Sequence, residues 1–328
     1  AKIKDGSDIV KVIGKQLTLH KKGQNHIGVC PFHADKSPSL TVSPSKGIYT
    51  CFACGATGDV IKFVQDFERC SFVEALQYLG KDIGVDVKLN VNPEEAAKNK
   101  QRESVFAALK ESLSKFKTNL SEFPQAKNYL LKDRGISPEM VELYQIGYAQ
   151  GDNQLARDLP KFYSFDTLLA AGLVGISDEK KFKYDVFRQR IVFPYLDLHG
   201  RPIGFTGRIL DDSIKTAKYL NTPESLVFNK GSVLFGLYQA KQAIIQQGFV
   251  YLTEGQMDVI SMAQKNIQNI VAGSGTALTD AQARLLKRFT NTVVLMYDPD
   301  GPGVKASLEN LKTFLAFGFN VRAITLPE

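Results

Sequence analysis

The chain has 328 residues, 44% hydrophobic and 23% charged, with a formal net charge of +7. That is long for one compact domain and predicts two or three, each with its own buried core, so wholesale disorder is excluded. No apolar run reaches ~18 residues, which excludes a membrane-spanning helix, and residues 1–6 lack the apolar centre of a secretion signal.

In chain order, Ile9, Val10, Val12 and Ile13 predict a short amphipathic helix, followed by a cysteine-rich stretch. A helical pattern then runs over 60–79, with Ile61, Phe63, Val64 and Phe67, and again Phe72, Ala75, Leu76 and Leu79, on one face. The polar segment around Pro93 reads as a linker, placed at 93–103. Residues 102–146 are helical in period, broken near Pro124 and Gly135, and 185–237 predict mixed strands and loops. Beyond 248 the pattern alternates: strand 249–253, helix 257–265, strand 270–272, helix 279–289, strand 292–297, helix 304–317 and strand 321–326. Thr279 and Gln282 have capping-box spacing. Such alternation predicts a parallel sheet with right-handed crossovers. The fold class expected is multidomain, α+β and α/β.

Charge is unevenly spread. Residues 1–62 carry nine Lys and no Arg against four Asp, and 179–230 carry ten Lys or Arg against six acids. Both are compatible with a polyanionic partner.

The cysteine-rich stretch has a metal-ligand pattern. Cys30-x2-His33 is followed 17 residues later by Cys51-x2-Cys54. Each short spacing presents two ligands to one ion, and the intervening residues can pair as a hairpin. Three thiolates and one imidazole make a closed, structural Zn2+ site. Gly55 lets the chain turn with positive φ after the last ligand. A redox dithiol at Cys51 and Cys54 leaves Cys30 and His33 unexplained. Cys70 lies outside the spacing and reads as a buried free thiol; His20, His26 and His199 read as structural or surface residues.

A second constellation is acidic. The strand at 249–253 ends in Glu254-Gly255, and the strand at 292–297 ends in Asp298-Pro-Asp300. Ligands of open parallel sheets bind beyond the carboxyl ends of strands. Clustered carboxylates repel unless a cation joins them, and hard oxygen donors suit Mg2+ or Mn2+. Gly273-Ser-Gly275-Thr-Ala lacks the Gly-Lys pair of a P-loop.

These motifs resemble a known family. Cys30-Pro-Phe-His33, Lys36-Ser-Pro-Ser39, Tyr49-Thr-Cys51-Phe-Ala-Cys54-Gly55, Gly58-Asp59 and Phe63 resemble the CHC2 zinc ribbon of bacterial replicative DNA primases of the DnaG type. Phe187-Arg-Gln-Arg190-Ile-Val-Phe193-Pro194, Gly204-Phe-Thr-Gly207-Arg208, Lys218-Tyr-Leu-Asn221-Thr-Pro223, Phe228-Asn-Lys230-Gly231 and Phe235-Gly-Leu-Tyr238 resemble the primase polymerase core. Glu254-Gly255 with Asp298 and Asp300 resembles the TOPRIM module. The division implied is a zinc-binding domain at 1–92, the linker, the N-terminal part of the core at 104–246 and a TOPRIM subdomain at 247–328.

The resemblance implies a nucleotidyltransferase that makes short RNA primers on single-stranded DNA from ribonucleoside triphosphates. It implies a cytoplasmic, replisome-associated setting. The TOPRIM acids Glu254, Asp298 and Asp300 would hold Mg2+ or Mn2+. Arg190, Arg208, Lys218 and Lys230 fall on matching basic positions, with Tyr219 available to stack on a base and Asn221 to donate to a phosphate or sugar. Lys36 and Lys46 are further template-contact candidates. Gln256 stands where the family has Tyr, and Pro299 where it has Gly. The family continues past a segment like Leu326-Pro327 into another acidic pair, the rest of the core and a helicase-binding domain. The alternative is a single-stranded DNA-binding module of the same parts without catalysis.

Overall fold

A computed structural model describes residues 2–33, 35, 37–68, 70, 72–85, 87, 93–177, 182–211, 213, 216–273, 278–298 and 301–325. The chain divides into two compact units, residues 1–91 with 242–248, and residues 92–241 with 249–328.

The first unit begins with helices α1 (Lys2–Gly6) and α2 (Ile9–Gly14). Asp8 caps α2 by accepting from the Val10 and Lys11 N–H groups. Strands β1 (His20–Lys22), β2 (Asn25–Gly28), β3 (Leu40–Ser43), β4 (Ile48–Cys51) and β5 (Thr57–Asp59) follow, then helices α3 (Val60–Glu68) and α4 (Phe72–Asp82). The strands form one antiparallel sheet in sequence order. Successive residues of β3 and β4 alternate between faces, so Leu40, Val42, Tyr49 and Cys51 all point into one core. That face meets Ile9, Val12 and Ile13 of α2 and Phe63, Val64 and Phe67 of α3. Phe32, Tyr49 and Phe63 pack as a mutual aromatic trio, 5.3–5.7 Å between ring centres.

The second unit opens with α5 (Pro93–Glu122), a single helix of 30 residues. The stretch 93–103, expected as a linker, is thus helical. Pro93 starts it without losing an intrahelical bond, and the Glu, Ala, Lys, Gln and Arg residues that follow are strong helix formers. Val105, Ala108, Leu109, Leu113 and Phe116 supply the buried stripe further on. Helix α6 (Pro124–Asn128) runs into a π-helical turn, Tyr129–Asp133. Next come α7 (Pro138–Leu143), β6 (Gly147–Ala149), α8 (Gln154–Asp158), α9 (Phe165–Ala170), and the hairpin of β7 (Val174–Ile176) with β8 (Lys183–Asp185).

Strands β9 (Arg190–Leu196), β10 (Pro202–Ile209) and β11 (Tyr219–Asn221) join β6 in an antiparallel sheet of order β11-β10-β9-β6. β9 and β10 are buried on both faces. Val192 and Phe205 enter the core beneath α5, whereas Ile191, Phe193, Tyr195 and Ile203 enter a second core. Helix α10 (Leu237–Gln247) leads to β12 (Val250–Thr253), α11 (Gln256–Gln264), β13 (Ile270–Ala272), α12 (Asp280–Lys287), β14 (Thr292–Tyr297), α13 (Gly301–Ala316) and β15 (Asn320–Thr325). These four strands form the expected parallel sheet, in the order β13-β12-β14-β15. Val259, Ile260, Ile270, Ala272 and Met296 from this layer complete the second core. Thr279 and Gln282 form the expected capping box.

Gly147 on β6 lies against α5, and a Cβ there would sit 2.5 Å from Phe116 Cβ. Gly147→Ala is expected to cost about 1–3 kcal/mol through overpacking, measured by chemical denaturation against the wild type.

Candidate functional site

In the first unit, pairing of β2, β3 and β4 sets Gly28 opposite Leu40 and Leu40 opposite Cys51. The turns that follow β2 and β4 therefore leave the same end of the sheet, one carrying Cys30 and His33 and the other Cys51 and Cys54. The four ligand atoms lie within 4.8 Å of one another, and Cys30 Sγ is 3.8 Å from Cys54 Sγ. A tetrahedral site with Zn–S bonds of about 2.3 Å has an edge of about 3.8 Å, so the donor set fits Zn2+. Among the described residues this is the one group of three or more ligand-type side chains so closely gathered. His33 Nδ1 is buried without a hydrogen-bond partner, as suits a nitrogen that meets a metal. Burial pushes the Cys30 thiol up. Burial acts the same way on Cys51, but contact with Ser39 and hydrogen bonds from the Cys54 and Ala53 N–H groups outweigh it and pull that thiol down. Gly55 has φ +77°, the turn expected after the last ligand. Cys70 is half-buried and its thiol faces the Val64 carbonyl.

In the second unit, the acids stand at the carboxyl ends of the neighbouring strands β12 and β14. Glu254 Oε1 accepts the Asp298 N–H at 3.1 Å, which ties the two strand ends together. A third carboxylate, Asp258, was not singled out from the sequence. It caps α11 through the Gly255 N–H at 2.9 Å. Burial raises its pKa, and the charge of Asp298 adds to the rise. Its signal was the spacing Glu254-Gly-x-x-Asp258, one helical turn, which reads equally as a helix cap. Asp300 lies outside the described residues, as does Lys36.

The basic positions divide. Arg190 is buried, and its guanidinium donates to the carbonyls of Gly207 (3.0 Å), Ala217 (2.9 Å) and Lys218 (3.2 Å). It braces β9 against β10 and the approach to β11. Arg208 is likewise buried. It donates to the Ile209 carbonyl at 2.8 Å and stacks on Tyr129, 4.8 Å from the ring centre. Lys218 and Lys46 are exposed. Lys230 is half-exposed on a fixed backbone: its N–H donates to Glu224 at 2.9 Å, and its carbonyl accepts from Gln282 at 3.3 Å. Asn221 accepts from Tyr195 Oη at 3.5 Å, and Tyr195 Oη accepts from buried Gln256 at 3.2 Å.

Sequence reasoning also passed over Arg134. The π-turn brings its Nε to within 2.7 Å of Tyr129 Oη and its guanidinium to 5.3 Å from the same ring that Arg208 stacks on. Gln264 of α11 pins this turn, accepting the Ser137 N–H at 2.7 Å and donating to the Gly135 carbonyl at 2.9 Å. Burial raises the pKa of half-buried Tyr219, which feels the charges of Arg208, Asp258 and Arg134.

Two outcomes follow from these geometries. Cys51→Ser is expected to remove zinc and unfold residues 1–91 while the second unit stays folded, since such sites contribute about 10–16 kcal/mol; metal analysis with limited proteolysis checks this. Arg190→Ala removes the donor shared by three carbonyls, of which Lys218 keeps the Ile209 N–H, and is expected to lower stability by about 1–3 kcal/mol, read by denaturant unfolding.

Comparison with known proteins matches the same segments. Residues 1–95 match the CHC2 zinc finger model, 115–241 the N-terminal domain of the DNA primase catalytic core, and 251–328 a Toprim-like model. The chain is 40% identical to the DNA primase of Clostridium acetobutylicum, covering 100% of this chain and 54% of that protein. It is also 40% identical to the DNA primase of Aquifex aeolicus, covering 98% and 62%. It therefore spans little more than half the length of these relatives. The crystal structure of the zinc-binding and RNA polymerase domains of the Aquifex aeolicus primase aligns with a TM-score of 0.66 and 38% identity, over 100% of this chain and 79% of that one. The DnaG primase catalytic domain bound to single-stranded DNA aligns with a TM-score of 0.63 and 35% identity, over 70% and 73%. With its zinc ribbon, its two-core middle layer and its acid-tipped parallel sheet all matched in order, the chain belongs to the DnaG-type DNA primases.

Proposed function

We propose that this chain carries the template-reading and nucleotidyl-transfer parts of a primase that makes short RNA primers on single-stranded DNA. The observation that carries the reading is the joining of Glu254 to the Asp298 backbone at the carboxyl ends of adjacent parallel strands. Acids that can hold a divalent ion suit a triphosphate, whose charge needs neutralising.

Glu254, Asp298 and Asp300 offer the oxygen-only donors that Mg2+ or Mn2+ prefers. Bound there, such an ion supplies charge neutralisation at the transferring phosphoryl group and a more acidic 3′-hydroxyl. The chain's own groups do the positioning. Exposed Lys218 and Arg134 and half-exposed Lys230 attract the phosphates of nucleotide and template. Lys230 does so from a backbone clamped by Glu224 and Gln282, which limits the entropy lost on binding. Tyr219 and Asn221, neighbours on β11, are placed for a base or sugar. The zinc ribbon, with Lys46 and Lys36, is assigned to the template strand. The setting is the bacterial cytoplasm. Retention of Glu254 and Asp298 favours catalysis over a purely binding module.

The test is template-dependent incorporation of labelled ribonucleotides with Mg2+ or Mn2+. Wild type is expected to yield short RNA. Asp298→Ala is expected to lose at least roughly 100-fold in rate while keeping single-strand affinity within about twofold. Equal synthesis by the two proteins would overturn the assignment of the acids.

A further inference from the structure

Asp35 is not among the four metal ligands, yet it reaches three of them. Its side chain is 6% exposed. Oδ2 accepts the Cys30 N–H at 2.9 Å and the Ser39 hydroxyl at 2.6 Å, while Oδ1 accepts the Ser37 N–H at 3.2 Å and lies 3.9 Å from His33 Nε2. Ser39 Oγ in turn lies 3.3 Å from Cys51 Sγ. One carboxylate therefore spans both ligand turns: Cys30 through its backbone, His33 through its outer nitrogen and Cys51 through one hydroxyl.

His33 gives this arrangement a direction. A neutral imidazole carries one N–H, and its other nitrogen holds the lone pair that binds a metal. A carboxylate facing Nε2 favours the proton there and leaves the lone pair on Nδ1. Nδ1 is the buried nitrogen without a hydrogen-bond partner. The 3.9 Å separation is an electrostatic contact rather than a hydrogen bond, so the ring has room to settle on an ion. Metal-binding histidines are commonly held by such an outer carboxylate, and its loss weakens metal binding.

We propose that Asp35 is a positioning residue of the zinc centre, setting the Cys30 turn, holding Ser39 beside Cys51 and fixing His33 as the Nε2–H tautomer that presents Nδ1 to the metal. The assignment depends on the zinc site alone and stands apart from primer synthesis.

The experiment is zinc competition with a chromophoric chelator on the zinc-loaded chain, for wild type, Asp35→Ala, Asp35→Asn and Asp66→Ala. Asp66 is the control: its carboxylate accepts from Tyr49 and Lys62 in the same unit. Asp35→Ala is expected to weaken zinc binding by roughly 10- to 100-fold. Asp35→Asn should fall between, since its amide oxygen still accepts a backbone N–H. Asp66→Ala is expected to stay within about twofold. Long-range 1H–15N spectra of the zinc-loaded protein are expected to show His33 protonated on Nε2 in wild type. Zinc affinity of Asp35→Ala within twofold of wild type, or wild-type His33 protonated on Nδ1, overturns the proposal. If Asp35→Ala does not fold, Asp35→Asn decides it by the same two readings, with wild-type affinity as the overturning result.

Discussion

Burial of β9 and β10 on both faces is the constraint around which the second unit is organised. Antiparallel sheets usually keep one face in water. Here alternate side chains serve two cores, one beneath α5 and one against the parallel sheet. No position on these strands is left for solvated chemistry. Two polar groups inside or beside these strands have internal partners: Arg190 takes three carbonyls, and Thr222 Oγ1 accepts the Phe205 N–H at 2.8 Å; Thr206 Oγ1 on β10 is buried without one among the described residues. The groups able to meet a ligand lie at the margins instead, on the short β11, on the π-turn and at the carboxyl ends of the parallel strands.

The first unit answers a different problem. It is small, and its sheet buries one face against helices while the other stays partly open. Among the described residues, the ligand turns add few hydrophobic side chains to the core: Phe32 packs with Tyr49 and Phe63, and Ala56 joins them. A metal closes them covalently where burial is insufficient. The same turns carry exposed Phe52 and Val29.

Much of this was legible in the sequence, for reasons that can be located. The spacing of Cys30, His33, Cys51 and Cys54 has few meanings, and the alternation after 248 matches β12 to β15 to within a residue or two. The capping box at Thr279 and Gln282 was visible, but not the second task of Gln282, because its acceptors on Lys230 and Val233 lie some 50 residues away in sequence. Arg190 was singled out because it lies in the basic middle region on a position matching the polymerase-core motif; its backbone-carbonyl partners have no sequence signature. Arg134 was hidden in a helical pattern broken at Gly135, since a π-turn differs from an ending helix by one residue of register. The polar stretch 93–103 read as a linker because exposed helix and flexible connector share a composition.

Helix α11 joins two parts that have been described separately. At its first turn Asp258 holds the Gly255 N–H beside Glu254, and at its last residue Gln264 grips the turn that bears Arg134 with two hydrogen bonds. Nine residues of helix make a strut about 13 Å long, too short to bend appreciably. The Gly255 turn beside Glu254 and the Gly135 turn after Arg134 are therefore held by opposite ends of one short helix, whose length fixes how far apart these two backbone segments stand.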